Sequence, residues 1–160
     1  MITLIAAVDE NWGIGKANAI PWSLPRDLQC FQQETLGGAV LMGRKTWESL
    51  GQKPLVNRTN YVITSQHSIE GWDDLLQAYF TPNIERALLA IRNRGHLRSY
   101  VIGGTKMYEY FATRSDRMML SQVPGKHECD TFFPKPNFSL WKNPRKVDMG
   151  KFIIEEYMRK

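Results

Sequence analysis

The chain has 160 residues, 42% of them hydrophobic, and a net charge of +5. That length suits one domain with a proper core, so residues 1–160 are read as a single unit. The mild basicity fits an anionic small molecule as well as nucleic acid. Arg86, Arg92, Arg94 and Arg98 follow a helical pattern and read as a solvated face, which argues against a nucleic-acid footprint. Cys30 and Cys129 lie far apart and match no metal or redox spacing. No metal site is expected. Without a disulfide framework a reducing compartment is expected. The first residues carry no basic leader and are too short an apolar run to cross a membrane. The cytoplasm, no membrane partner and a monomer are the defaults.

Residues 2 to 8 are nearly all apolar, as in a strand buried on both faces. Residues 9 to 24 follow with Asn11, Gly13, Gly15 and Asn18 and no period. Loops this long in compact domains are often functional. Pro25 suits the first turn of a helix that runs to about Thr35 and stops at Gly37-Gly38. Asp27 falls in that first turn, on one side with Cys30, Phe31 and Glu34. Leu24, Leu28 and Phe31 form the adjacent apolar stripe, and Trp22 lies just upstream.

Two forces act on Asp27. The helix N-terminus favours its charge, by a few tenths of a kcal/mol to about 1. Desolvation beside Trp22 and Phe31 opposes the charge. A carboxyl group so poised trades protons near neutral pH. The alternative is an ordinary first-turn acid facing water.

Ala39 to Gly43 predicts a short strand, and Arg44 to Leu50 a short helix. A loop rich in Pro, Gly and Asn leads to a strand at Asn60 to Thr64. Thr81-Pro82 predicts a helix start with Thr81 as cap, and Gly95 its stop. Ser99 to Ile102 predicts a fourth strand, broken by Gly103-Gly104, with helix over Thr105 to Ala112. From there the pattern is all strand: Arg117 to Val123, Thr131 to Phe133, Leu140 to Val147 and Phe152 to Tyr157. Alternation followed by strands alone predicts an α/β fold. Its sheet is mostly parallel, with helices on both faces and an antiparallel C-terminal edge.

Three strand ends share one signal. Gly43-Arg44-Lys45-Thr46, Thr64-Ser65-Gln66 and Gly103-Gly104-Thr105-Lys106-Met107 each follow a buried strand. Ligands of open α/β sheets lie at the carboxyl ends of strands. Together the three predict a nucleotide across the sheet edge, although each alone is more often a turn. No acid stands at these ends to hold a ribose diol, and Arg44 and Lys45 suit an extra phosphate. NADP is therefore favoured over NAD. The Rossmann and P-loop signatures are absent. His67, His96 and His127 are scattered and read as surface residues.

A family resemblance rests on these residues. Ile5-Ala-Ala7, Ile14-Gly15, Pro21-Trp22, Leu24-Pro25, Asp27-Leu28, Phe31, Met42-Gly-Arg-Lys-Thr-Trp-Glu-Ser49, Val101-Ile-Gly-Gly104 and Asp130-Thr-Phe-Phe-Pro134 resemble dihydrofolate reductase, in order and over nearly the whole chain. The resemblance implies a three-layer α/β/α sandwich with an eight-stranded mixed sheet. It implies hydride transfer from NADPH to the pterin of dihydrofolate, giving tetrahydrofolate for one-carbon metabolism. Asp27 would bind the pterin and help deliver a proton, and Trp22 would hold a water and wall the site. Ile5, Ala7, Leu28, Phe31, Leu50, Leu55 and Ile102 would line the folate pocket. Ser121 would orient Asp27, and Arg58 would clamp a carboxylate of the folate tail.

On the cofactor side, the resemblance gives Arg44, Ser65 and Gln66 to the adenosine 2′-phosphate, with Lys45, Thr64 and Lys106 nearby. Gly43, Thr46, Gly103, Gly104, Thr105, Met107 and Tyr108 would meet the rest of NADPH, with Ala7, Ile14, Ile20 and Ile102 towards the nicotinamide. Departures are Ile20 and Cys129, where the family often has methionine or leucine and glycine, and one extra residue in the Gly51 to Arg58 loop. The four-residue connection Asp148 to Lys151 is expected to be too short to hold the 9–24 loop in a blocking position. Two rivals are a reductase of a related pterin or pyrimidine and a non-enzymatic nucleotide- or RNA-binding module.

Overall fold

β1 (Ile2–Val8) runs near the middle of the sheet, parallel to both of its neighbours, β7 (Ser99–Val101) and β8 (Arg117–Gln122). The computed structural model describes residues 1–160. β3 (Ala39–Gly43), β4 (Thr59–Ile63) and β6 (Ala78–Thr81) extend the parallel sheet beyond β7. β10 (Arg145–Asp148) and β11 (Ile153–Met158) close one edge as an antiparallel hairpin. β5 (Gly71–Asp73) closes the other edge, also antiparallel. The order is β10-β11-β8-β1-β7-β3-β4-β6-β5. β2 (Gly13–Gly15) and β9 (Thr131–Phe132) form a separate two-stranded ribbon.

Side chains alternate across the central strands, as the period of two requires. Leu4, Val8, Leu41 and Val101 point to one face, where α3 (Ile84–Asn93) and α4 (Thr105–Phe111) bring Ala87, Ile91, Met107 and Phe111. Ile5, Val40, Met42 and Val62 point to the other. There α1 (Pro25–Thr35) and α2 (Arg44–Ser49) supply Phe31 and Trp47. Each fully buried Leu, Val, Ile or Phe stabilises this packing by about 1.5–3 kcal/mol. The result is the expected mixed sheet between two helical layers.

The sequence expectation needs correction in three places. The sheet has nine strands, not eight, because β5 adds an edge. Thr81 is the last residue of β6 and not a helix cap. Asn83 caps α3, its side chain accepting from Arg86 N at 3.1 Å. The strand expected from Leu140 begins only at Arg145, since Pro144 has no N–H to give a ladder. Residues 138–140 form a 3₁₀ turn instead. Gly150 turns the last hairpin at φ +88°, and the hydrogen bonds of its tip are internal, Gly150 N to Asp148 Oδ1 and Met149 N to Phe152 O.

A charged network fixes the far end of α1. Arg117 of β8 donates to Glu34 Oε2 at 2.9 Å and also pairs with Glu156. Tyr100 Oη donates to the same Glu34 oxygen at 2.7 Å. Desolvation pushes the Glu34 carboxyl up, but these donors win and hold it below its usual range. The helix carrying Asp27 is thus anchored to the sheet by its last turn.

Candidate active site

The carboxyl ends of β7, β3 and β4 lie side by side, so the three strand-end segments become neighbours. They open onto a cleft of about 1790 Å³ that continues past β1 to α1. Pockets for one drug-sized ligand run to about 1,000 Å³, so this cleft has room for two molecules end to end.

One end is apolar with a single acid. Ile5, Ala7, Leu28, Phe31, Leu50, Leu55 and Ile102 line it with Asp27 and Ser121. Leu28 is 60% exposed although it faces the cleft, an apolar surface that lacks a cover. Asp27 sits in the first turn of α1 after Pro25. Ser121, opposite Ala7 in the β1–β8 register, donates its hydroxyl to Asp27 Oδ1 at 2.6 Å. Burial pushes the Asp27 carboxyl above the ordinary 3.8, and the Ser121 bond pulls it partly back. The net shift is upward, and no cation pairs with this acid. Of the two readings of Asp27, the structure gives a partly buried acid that lines the cleft rather than one facing open water.

Arg58 lines the same end. Its Nε donates to Val56 O at 3.0 Å and its Nη1 to Thr35 Oγ1 at 3.1 Å, both neutral acceptors. Its guanidinium lies 6.0 Å from the Phe31 ring centroid, and no carboxylate pairs with it. The fully buried Asn60 fixes this loop despite the extra residue. It accepts from Leu55 N at 2.9 Å and donates to Leu55 O and Arg58 O, each at 3.1 Å.

The other end is a set of donors. Gly43, Arg44, Lys45, Thr46, Thr64, Ser65, Gln66, Gly103, Gly104, Thr105, Lys106, Met107 and Tyr108 all line it. Gly43 N donates to Gly103 O at 2.9 Å, and a Cβ on Gly103, at φ +129°, would stand 3.1 Å from Thr46 Oγ1. Tyr108 Oη donates to Ile5 O at 2.9 Å and ties α4 to β1. Two glycine-lined strand ends with cationic, hydroxyl and amide donors fit a phosphate-bearing dinucleotide. The lining also includes residues outside the expected set. Glu48, one helical turn after Arg44, also lines the cleft and pairs with the Arg44 guanidinium. The i,i+4 spacing that signals such a pair is present in the sequence.

The 9–24 loop covers the junction of the two ends. Ile14 and Ile20 line the cleft, Ile20 with 53% exposure. The loop is held by the segment before β9. Asp130 N donates to Gly15 O at 2.9 Å, and Ala17 N to Asp130 Oδ2 at 2.9 Å. Lys16 pairs with Glu128 at 2.8 Å. Residues 148–151 make no hydrogen bond to it. Trp22 stands just before α1. Its partly buried indole lies against His127, ring centroids 5.1 Å apart, and does not line the cleft.

The chain carrying this partly buried acid, unpaired arginine and row of donors is similar to known proteins. A family model described as dihydrofolate reductase matches residues 1–153. A dihydrofolate reductase of Haemophilus influenzae is 37% identical over 143 residues, 88% of this chain and 82% of that protein. One from Bacillus subtilis is 38% identical over 142 residues, covering 89% and 80%. The solved structure of a dihydrofolate reductase from Enterococcus faecalis, complexed with NADP(H) and RAB-propyl, superposes with a TM-score of 0.84 at 29% identity. It covers 100% of this chain and 96% of that one. With both the sheet order and the sequence in agreement over almost its whole length, the chain belongs to the dihydrofolate reductase family.

Proposed function

We propose that the chain reduces 7,8-dihydrofolate to 5,6,7,8-tetrahydrofolate with NADPH, as a single-domain monomer of the cytoplasm. The observation that carries this reading is the partly buried Asp27–Ser121 pair in the same cleft as the donor row of β3, β4 and β7. No helix is long and apolar enough to cross a membrane. When bound, NADPH supplies the hydride.

The chain's own residues do the rest. Arg44, Ser65 and Gln66 hold the 2′-phosphate, with Lys45, Thr64 and Lys106 adding donors and positive charge beside it. Gly43, Thr46, Gly103, Gly104 and Thr105 let the backbone approach the pyrophosphate. Ala7, Ile14, Ile20 and Ile102 wall the nicotinamide and exclude water. Asp27 accepts the pterin's amino and ring N–H groups, and burial raises its proton affinity, the direction that assisting protonation of the ring nitrogen requires. Ser121 fixes the rotamer of Asp27. Trp22, its indole against His127, holds a water for the proton's path.

Loss of NADPH absorbance on adding dihydrofolate tests the reading. A purified chain that binds NADPH but does not oxidise it with dihydrofolate would refute it. The tail contact separates it from a reductase of a tailless pterin or pyrimidine. Arg58 is a partly buried cation with no anionic partner, as a carboxylate clamp requires. Arg58→Gln should raise KM for dihydrofolate about tenfold, the low end for a charge-assisted hydrogen bond. It should leave KM for a pterin lacking the tail unchanged. Equal effects on both substrates would assign Arg58 to the loop's structure alone.

A further inference from the structure

Asp9 is 2% exposed, yet nothing in the proposed reaction uses it. A buried carboxylate is costly unless its oxygens are satisfied. Here Oδ1 accepts from Asn11 N at 2.9 Å and from Gly13 N at 2.8 Å. Oδ2 accepts from His127 N at 2.8 Å, with the Cys129 thiol at 3.9 Å. Burial pushes this carboxyl up, and the backbone donors outweigh it and hold it below 3.8. No cation pairs with it. One oxygen therefore faces the start of the 9–24 loop, and the other faces the segment that leads into β9.

Those segments also meet directly. A Cβ on Gly13 would stand 2.4 Å from Cys129 Sγ, so only glycine permits the approach. Gly13 and Gly15 pair with Phe132 and Thr131. Glu10 N donates to Gly125 O at 3.1 Å, and Phe133 N to Trp12 O at 2.8 Å. The next residue, Ile14, is the cleft wall assigned above to the nicotinamide.

We propose that Asp9 is a positioning residue for the reduction: its carboxylate joins the active-site loop to the β8–β9 segment and so sets where Ile14 stands in the cleft. This rests on the functional reading above. The two-sided geometry demands a carboxylate. An amide at this position has one accepting oxygen, and its NH₂ would face either the Gly13 and Asn11 donors or the His127 donor. One side of the junction then has unpaired buried N–H groups, and the loop opens more often. Dihydrofolate would still meet Asp27 and Arg58, which lie on other elements.

Asp9→Asn should therefore lower kcat about tenfold while KM for dihydrofolate stays within about twofold, the loss of one or two well-placed hydrogen bonds. Amide exchange in the ligand-free variant should accelerate at Gly13, Ala17, His127 and Asp130, with the core amides of β1 and β3 unchanged. Uniform acceleration would mean a merely structural acid and would overturn the proposal, as would unchanged kcat or unchanged exchange. If the variant does not fold, the wild-type chain still decides. Gly13 and His127 amides held by one carboxylate should exchange through one shared opening, with protection equal within about threefold. Clearly separate openings would overturn the coupling. A wild-type chain with no dihydrofolate-dependent NADPH oxidation would overturn the functional reading alone, because the exchange results do not depend on turnover.

Discussion

Asp27→Asn is expected to fold and to bind NADPH, and to lose turnover at pH 7 by a factor of about 100 or more, the scale of positioned acid catalysis. The swap keeps shape and the oxygen that accepts from Ser121, so the site's packing survives. What disappears is a carboxyl group whose burial raises its proton affinity. Turnover of the wild type should fall as pH rises through that raised value. Part of the variant's loss should return at low pH, where solvent protonates the substrate directly. Near-normal turnover of the variant at pH 7 would remove Asp27 from the proton route.

The same substitution has a stability consequence of opposite sign. A folded pKa above the unfolded 3.8 means the native state prefers the protonated form. Asp27 therefore contributes most below pH 3.8 and loses that contribution as pH rises through its folded value. Above that folded value the wild type carries a charge that burial disfavours. Asp27→Asn should raise Tm at pH 7, and the gain should shrink as pH falls through the raised folded value and be gone by 3.8. A variant that is less active and more stable is the signature of a site strained for function. A lower Tm at pH 7 would mean that the hydrogen bond from Ser121 and the helix N-terminus outweigh desolvation.

Local chemistry made much of this site legible. Pro25 and the 3.6-residue period placed Asp27, Cys30, Phe31 and Glu34 on one side of α1, and these four are its partly buried residues short of Thr35. The buried strands read as continuous apolar runs, because parallel strands covered on both faces need no polar side. β5 and β6 were lost for the opposite reason. Gly71–Asp73 is three residues long, and Ala78–Thr81 runs into Pro82, so a helix-start signal masked a strand end. Trp22 and Asp9 show the deeper limit. The site role of Trp22 comes from the resemblance, while the ring it packs against, His127, is distant in the chain. Asp9 takes one of its donors from across the same gap, |i−j| = 118. Contacts of that separation leave no local pattern. Glu48 was different, since its i,i+4 relation to Arg44 was there to be read.

Arg44→Ala is expected to weaken NADPH binding by about 1.5–3 kcal/mol, the worth of a charged hydrogen bond, which is roughly 10- to 150-fold in Kd. NADH, lacking the 2′-phosphate, should lose far less. Without ligand the Arg44 guanidinium pairs with Glu48, their side chains 39% and 34% exposed. An exposed i,i+4 pair on a helix contributes only about 0.3–0.5 kcal/mol, so a dianionic phosphate displaces or shares that contact. The guanidinium has five donors, enough to keep one edge on Glu48 while the other meets phosphate. Glu48 also brings a negative charge close to that phosphate. Glu48→Gln should therefore tighten NADPH binding slightly, by no more than about threefold, and leave NADH unchanged. Fluorescence titration of both cofactors against the three proteins measures this directly. Equal losses for NADPH and NADH in Arg44→Ala would mean that Arg44 does not read the 2′-phosphate. Weaker NADPH binding in Glu48→Gln would mean that the ion pair holds the guanidinium in its binding position rather than competing for it.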